Sequence, residues 1–454
     1  MGGGGREAGA AGAATGANGG RLAATLRAFR HRNYRLYFGG QGVSLIGTWI
    51  TRVAMSWLVY RLTGSAEALG IVSFASLLPT FLLAPFAGVW VDRLDRYRVI
   101  IVTQVLSMLQ SFALAALALS GTIVMWHIIA LSIAQGFINA FDMPARQAFL
   151  VEMVEDREDL PNAIALNSSM FNGARLVGPS VAGALVAIAG EGWAFLIDGI
   201  SYIAVLVSLF MMHVKARELP VVRASMLAQL RDGVRYAVGF APIRAVLILL
   251  AVSSLLGMPY LVLMPVIASQ TLHGDASTFG WLMAATGVGA LSGALYLASR
   301  RSVLGLGRAI AVAASCFGVG LVAFSFSRSL ALSLLLLVVA GAGFMVQTAS
   351  SNTVLQTVVT EDMRGRLMAF YTMAFMGTAP FGSLISGWVA DRIGAPETIM
   401  AGGAAIIVAG AVFGSRLPAL RKLVRPIYVE RGILPEIATG LQSASVLTAE
   451  GEPS

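Results

Sequence analysis

Long apolar stretches separated by short polar ones set the rhythm of the chain. Apolar runs near residues 35–60, 68–91, 98–120, 122–142, 164–189, 193–212, 243–269, 278–299, 306–327, 329–350, 366–390 and 396–414 are each close to or above the length of a bilayer-crossing helix, about 20 residues. Only Gly190-Glu191-Gly192 separates the fifth and sixth runs, which predicts a tight hairpin. The stretch from His213 to Pro242 is the one long internal loop, and Met226 to Val238 within it has an amphipathic helical pattern. The pattern predicts an all-α polytopic membrane protein with twelve transmembrane helices. Its domains are a cytoplasmic tail over 1–33, a six-helix bundle over 34–212, a cytoplasmic central loop over 213–242, a six-helix bundle over 243–414 and a cytoplasmic tail over 415–454. The Gly/Ala-rich start, Gly2 to Gly20, predicts a disordered tail. It is not a signal peptide, because the first apolar run, Leu36 to Tyr60, is too long for a signal h-region.

Composition agrees. Hydrophobic residues make up 57% of the 454 residues and charged ones 12%. Soluble domains carry about 25% charge, so an ordinary soluble enzyme or a disordered chain is excluded. The net charge of +9 invites a nucleic-acid reading, but the placement of the basic residues removes it. With the N-terminus inside, 27 of the 32 Lys and Arg residues fall on the inner side and three (Arg61, Arg328 and Arg392) on the outer side. Arg52 and Arg175 lie within spans. That asymmetry puts both termini in the cytoplasm and requires an even number of spans. The single Cys316 offers no disulfide and no Cys-based metal site. No Gly-Lys-Ser/Thr phosphate loop occurs. No H-E-x-x-H occurs, and the four His residues lie near membrane edges or loops. The chain is therefore expected to be no enzyme and to need no metal and no cofactor.

The halves repeat. Leu62-Thr-Gly64-Ser-Ala66-Glu-Ala-Leu69-Gly70 follows the first span, and Leu272-His-Gly274-Asp-Ala276-Ser-Thr-Phe279-Gly280 follows the seventh, 210 residues later. Glu155-Asp156 and Glu361-Asp362 echo at 206, and Pro179 and Pro380 at 201. Parallel six-helix repeats with a central site between them are a transporter architecture.

Polar residues inside spans are costly and usually face a cavity or the bundle interior. In the first span Gln41, Ser44, Thr48, Arg52 and Ser56 share one helical face. The fourth span carries Ser132, Gln135, Asn139, Asp142 and Arg146, and the fifth carries Ser168, Asn172 and Arg175. The second half offers Ser253, Gly257, Tyr260 and Met264 on span seven, and Phe344, Gln347 and Ser351 on span ten. The substrate-cavity candidates are Gln41, Thr48, Arg52, Gln135, Asn139, Asn172, Tyr260, Phe344 and Gln347. A cavity polar on one side and Met/aromatic on the other suits an amphipathic organic molecule. Bland interhelical bonding is the competing reading of each stripe.

Between spans two and three stands Gly88-Val-Trp-Val-Asp92-Arg93-Leu-Asp95-Arg96-Tyr-Arg98. It resembles the G-x-x-x-D-R-x-G-R-[RK] loop of the major facilitator superfamily, with Asp95 where that motif usually has Gly. With twelve spans and the repeat, the resemblance covers nearly the whole chain and implies the major facilitator fold. It also implies that Gly88, Asp92, Arg93, Arg96 and Arg98 latch a cytoplasmic gate, Asp92 facing the start of span eleven. Glu155, Asp156, Glu158 and Asp159 are acids within reach of the arginines. In span five, Gly173-Ala-Arg175-Leu-Val-Gly178-Pro179-Ser-Val-Ala-Gly183 resembles the Gly-Pro motif of drug and metabolite antiporters. Gly387-Trp-Val-Ala-Asp391-Arg392-Ile-Gly394 looks like a further loop motif but falls on the outer side, where it reads as a turn. Tyr34-Arg-Leu-Tyr37, Gly47-Thr48-Trp49, Pro144-Ala-Arg146-Gln147-Ala148 and Arg364-Gly365-Arg366 resemble the branch with enterobactin exporters and macrolide-efflux-like proteins. Gln135-Gly136 is present in span four, but Ser132 holds the position where many proton-coupled drug exporters have Arg.

Without an ATPase, uphill export needs an ion gradient. The coupling candidates are Asp198, within span six, and Asp142, at the inner end of span four; by depth, Arg52 is the expected partner of Asp198. The expected function is secondary active export of a siderophore or drug-like small molecule by alternating access, with protons as the coupling ion. A passive facilitator or a flippase for lipid-like substrates is the alternative. The expected setting is a bacterial inner membrane, multi-pass, with the bilayer as the partner, no nucleic acid, and a functional monomer.

Overall fold

The structure, a computed structural model, describes residues 26–154, 156–214, 235–300 and 302–434. The expected disordered tail through residue 25, most of the central loop and residues from 435 onward lie outside the described residues.

Among the described residues, 12 helices are long and apolar enough to cross a membrane. They are α1 (Arg32–Thr63), α2 (Ala66–Arg93), α3 (Arg96–Leu119), α4 (Met125–Met153), α5 (Leu160–Ala189), α6 (Glu191–Phe210), α7 (Ala241–Thr271), α8 (Ala276–Ser299), α9 (Leu306–Phe326), α10 (Leu330–Val358), α11 (Arg364–Ile393) and α12 (Ala395–Glu430). Helices are what so apolar a chain can form in lipid, since each backbone donor must find its acceptor within the same segment. The twelve match the predicted runs, but several extend further. The helix α12 continues to Glu430 because Ala, Leu, Arg and Lys propagate a helix after the apolar window has ended.

Turn chemistry sets the ends. Gly64 ends α1 in the left-handed region (φ 64), its N–H bonded to the Tyr60 carbonyl. Ser65 then caps α2 by accepting from the Ala68 N–H. In the second copy of the repeat the left-handed residue is His273 (φ 52), and Asp275 caps α8 through the Ser277 and Thr278 amides. Asp95 caps α3 through the Tyr97 and Arg98 amides. The departure from Gly in the α2–α3 loop therefore starts a helix.

Helix pairings recur six positions later. α1 packs on α6 as α7 packs on α12, α2 on α4 as α8 on α10, and α3 on α6 as α9 on α12. These are two six-helix halves, and they meet along two seams, α2 with α11 and α5 with α8.

Both seams are closed at one end. We call that end, where α1 finishes and α2 begins, the charge-poor face; the opposite end, with most Lys and Arg, is the basic face. At the charge-poor face a Cβ on Gly183 of α5 would come 2.9 Å from the Cα of Gly280 of α8. A Cβ on Gly70 of α2 would come 3.2 Å from the Cα of Gly387 of α11. Such contacts exclude any side chain. At mid-depth, Gly178 packs on Trp49 of α1, and a Cβ on Gly377 would come 2.8 Å from the Phe81 ring. Toward the basic face, a Cβ on Gly88, Gly173 or Gly365 would meet nothing within 4 Å. We infer from these open positions that the halves diverge there and leave a cleft that opens on the basic face.

Two helices of the second half are broken. Single π-helical turns interrupt α7 at Ser253–Gly257 and Ile267–Thr271, and α11 at Met373–Gly377. Pro259, Pro265 and Pro380 stand beside them, and each removes a backbone donor from the ladder. Such turns gather at functional sites.

Candidate functional site

The first half supplies the polar wall of the cleft. Arg52, near the middle of α1, is exposed. It stands ~200° around the helix from Ile50 at 100° per residue. Ile50, Val43 and Ile46 line an apolar groove against α6, so Arg52 looks away from that groove. Its guanidinium lies over the Trp49 ring, 4.5 Å from the centroid. Trp49 in turn lies on Gly178 of α5, where only hydrogen leaves room for it. Arg175, one turn before Gly178, is the charge whose field reaches Arg52 and also Tyr260 of α7. Its own peptide carbonyl borders Gly287 of α8. The helix-five set Gly173, Arg175, Gly178, Pro179 and Gly183 thus runs from open cleft to closed seam along one helix.

Other polar candidates of this half are partly accessible. Gln135 donates from Nε2 to Asn139 (3.0 Å) and to Ser107 (3.3 Å). Thr48 donates to the Ser44 carbonyl and Asn172 to the Ser168 carbonyl. Gln41 is buried.

The second half differs from expectation. Tyr260, Phe344 and Gln347 share their helix faces as the spacing indicates, but all three side chains are buried. Gln347 donates from Nε2 to the Ser253 hydroxyl at 2.7 Å, tying α10 to the first π turn. Ser254 donates to the Phe375 carbonyl, tying α7 to the π turn of α11. Tyr260, Phe317, Phe344 and Phe375 form a chain of ring contacts with centroids 6.0, 5.1 and 5.9 Å apart. Of these only Phe375 is partly exposed, as is Tyr371, whose ring lies 6.3 Å beyond it. Sequence reasoning missed Trp49, Phe375 and Tyr371. The paired prolines of α7 and Pro380 of α11 were the signal that could have found the broken helices.

The two carboxylates sit in different surroundings. Asp142 accepts from Thr103 (2.7 Å) and Gln104 (2.9 Å) of α3 and pairs with Arg146 at 2.6 Å. Asp198 accepts from Thr51 of α1 and Ser111 of α3, both at 2.8 Å. The expected Arg52–Asp198 pair is not formed: Thr51 reaches the carboxylate, and Arg52 projects from the next residue toward the cleft.

At the basic face two ion pairs of the α2–α3 loop lie within the first half. The side chain of Asp92 lies outside the described residues. Arg93 is exposed. Arg96 donates to Glu152 of α4 at 2.8 Å, and Arg98 pairs with Asp95 at 3.3 Å. Asp156 and Asp159, expected near these arginines, are instead held by Arg30, His31 and Arg27 at the N-terminal end of α1. At the charge-poor face Asp391 of α11 crosses to the first half. It accepts from the Ser65 hydroxyl and from the Ala66 amide, both at 2.7 Å. The segment Gly387–Gly394, expected as a turn, thus supplies a second cap to α2.

Comparisons agree with this architecture. Residues 23–426 match the model of a family described as transmembrane secretion effector. A staphyloferrin A transporter of Staphylococcus aureus (strain NCTC 8325 / PS 47) is 25% identical over 382 residues, covering 84% of this chain and 95% of its own. The multidrug efflux pump Tap of Mycolicibacterium fortuitum is 28% identical over 397 residues, covering 83% and 93%. Macrolide efflux protein A of Streptococcus pyogenes is 28% identical over 163 residues, covering 35% and 40%. Two solved structures share the fold. A bacterial homologue of the iron transporter ferroportin, in an inward-facing state, has a TM-score of 0.63 at 16% identity and covers 85% of this chain and 98% of its own. The nucleoside transporter NupG has a TM-score of 0.62 at 14% identity, with the same coverage. Twelve spans with a duplicated half, a basic loop after the second and a cleft between the halves are the frame of a multi-pass bacterial transporter, and the chain belongs to the transmembrane secretion effector family of the major facilitator superfamily.

Proposed function

We propose that the protein is a secondary active efflux transporter that exports an amphipathic small organic molecule, siderophore-like or drug-like, by alternating access and in exchange for protons. The basic face is cytoplasmic and both termini lie there, because positive residues are retained on the cytoplasmic side. The protein works as a monomer in the bacterial inner membrane. One observation carries the reading: a cleft closed by glycine contacts at the charge-poor face reaches exposed, mid-span Arg52 from the basic face. That is the arrangement that receives a solute from the cytoplasm. The relatives named as a siderophore transporter, a multidrug efflux pump and a macrolide efflux protein support export.

Asp198 is assigned to proton carriage. Hydroxyls hold it and, among the described residues, no cation pairs with it, whereas Arg146 already balances Asp142. Asp92 is assigned to the latch that closes the basic face in the opposite state, where the open space around Gly88, Gly173 and Gly365 is consumed.

The test is accumulation in everted membrane vesicles of a catecholate siderophore, a macrolide or a cationic dye, with and without an uncoupler. Uncoupler-sensitive accumulation of one of them, lost in Asp198→Asn, is the expected result. Accumulation that ignores the uncoupler supports a passive facilitator, and movement of lipid-like probes alone supports a flippase.

A further inference from the structure

Arg52 and Arg175 are two guanidinium groups near the middle of their helices, and among the described residues neither forms an ion pair. The carboxylates that could have neutralised them are engaged elsewhere: Asp142 with Arg146, Thr103 and Gln104, and Asp198 with Thr51 and Ser111. An arginine inside a membrane protein is retained against a large desolvation cost only when something compensates its charge. Two such charges within each other's field raise that cost. Water in the open cleft can hydrate Arg52, which is exposed, but hydration alone gives no reason for two positive charges on facing helices.

The geometry suits a bound anion. The contact of Trp49 with Gly178 brings those two residues to one level. Arg52 lies one turn above it and Arg175 one turn below, so about 9 Å of helix rise separates their Cα levels. Helical side chains lean toward the N-terminus, which carries the Arg52 guanidinium down over the Trp49 ring, as observed. Its place over Trp49 holds the guanidinium at one level of the helix, where its fork can meet a carboxylate, the group it matches bidentately. In the second half, the partly exposed rings of Tyr371 and Phe375 offer an apolar surface to the rest of the molecule.

We propose that Arg52 and Arg175 form an anion-binding pair, and that the substrate is an amphipathic organic anion bearing carboxylate groups spaced to engage both. This rests on the export reading above, and it narrows that reading to one charge class. Trp49 is the positioning residue that aims Arg52.

The test uses naphthalene dicarboxylate, its dimethyl ester and the corresponding diamine, three probes with one aromatic body and different charge. Binding to the purified full-length protein is measured by equilibrium dialysis, and accumulation is measured in everted vesicles. The dicarboxylate is expected to bind, and the ester and diamine are not. Arg52→Gln and Arg175→Gln are each expected to weaken binding about tenfold or more, the scale of a lost charge-assisted hydrogen bond. Arg52→Lys should retain part of the affinity and so exclude misfolding. Trp49→Leu should weaken anion binding while keeping the charge. Binding that ignores charge, or a dicarboxylate affinity unchanged in both Gln variants, overturns the proposal. If the dicarboxylate binds but no probe accumulates, the anion site stands and the export reading fails. If the diamine or a macrolide is exported and the dicarboxylate neither binds nor moves, the export reading stands and the anion site fails.

Discussion

The two faces of the molecule solve the same packing problem in opposite ways. At the charge-poor face the halves touch backbone to backbone, through Gly183 on Gly280 and Gly70 on Gly387, and Asp391 caps a helix of the other half. At the basic face Arg96 and Glu152, and Arg98 and Asp95, bond within one half, and the glycines of the seams have open space. Charge is abundant where the halves are apart and scarce where they meet. The difference is physical. Glycine contacts hold two surfaces by fit and release them cleanly, whereas basic side chains can exchange partners as the surfaces separate. The seam that holds this conformer closed is therefore built from residues with almost no side chain.

That contrast can be broken most strongly at the closed seam. Gly183→Leu would drive a side chain into the backbone of α8. Overpacking costs about 1–3 kcal/mol or more, and here it falls on the closed charge-poor face. Transport should be almost abolished, and a cysteine placed near that face should label faster. Gly173→Ala on the same helix should not lower thermal stability, because none of the described residues lies within 4 Å and Ala favours the helix over Gly; a matching loss of stability in both variants would remove the contrast.

The next effect is expected at the basic loop. Asp92→Asn should cut export about tenfold, the scale of a weakened charge-assisted bond, without reducing the amount of folded protein. Normal efflux by that variant would refute the latch. A smaller effect is expected from Asp391→Ala. An N-cap is worth about 0.5–2 kcal/mol, and this one exists only while α2 and α11 are in contact. Its loss should shift the balance toward opening at the charge-poor face, read as faster labelling there with little change in melting.

Asp275→Ala gives the least effect on transport. It removes a cap of similar size from α8, but the cap belongs to the helix's own turn and persists in every conformer. A loss of about 1 kcal/mol in stability with an unchanged labelling pattern is expected. The Ser277 hydroxyl and the neighbouring amides hold the Asp275 carboxyl below the ordinary carboxylate range. A depressed native pKa means that the cap's contribution is complete above the unfolded value, near pH 4, and fades only as pH falls through the lower native value. The melting difference between wild type and Asp275→Ala should therefore be constant from pH 5 to 8, a range named on the basis of that direction.

The frame was legible in the sequence, and parts of the site were not. The L-x-G-x-A-x-x-[LF]-G repeat located equivalent turns in both halves, but nothing in it indicated that its last residues, Gly70 and Gly280, meet Gly387 and Gly183. The Asp391 segment read as a turn because its partner, Ser65, lies more than 300 residues away in sequence. Tyr260, Phe344 and Gln347 were correctly grouped by helical period, yet period gives a shared face and says nothing of what the face meets. In α10 that face meets α7 and α9 and is buried there. Arg52 is exposed, and its neighbour is Trp49 on its own helix and not Asp198.

The number of spans, the duplication and the asymmetry of positive charge belong to the sequence alone. Each is a sum over a window of about 20 residues or over a loop, and the bilayer reads such sums directly. Which polar residue looks at which, where the seams close, and how two arginines with no ion pair among the described residues come to flank one tryptophan were decided by tertiary structure. Those outcomes depend on single contacts between helices far apart in sequence, at distances where one methyl group changes the result.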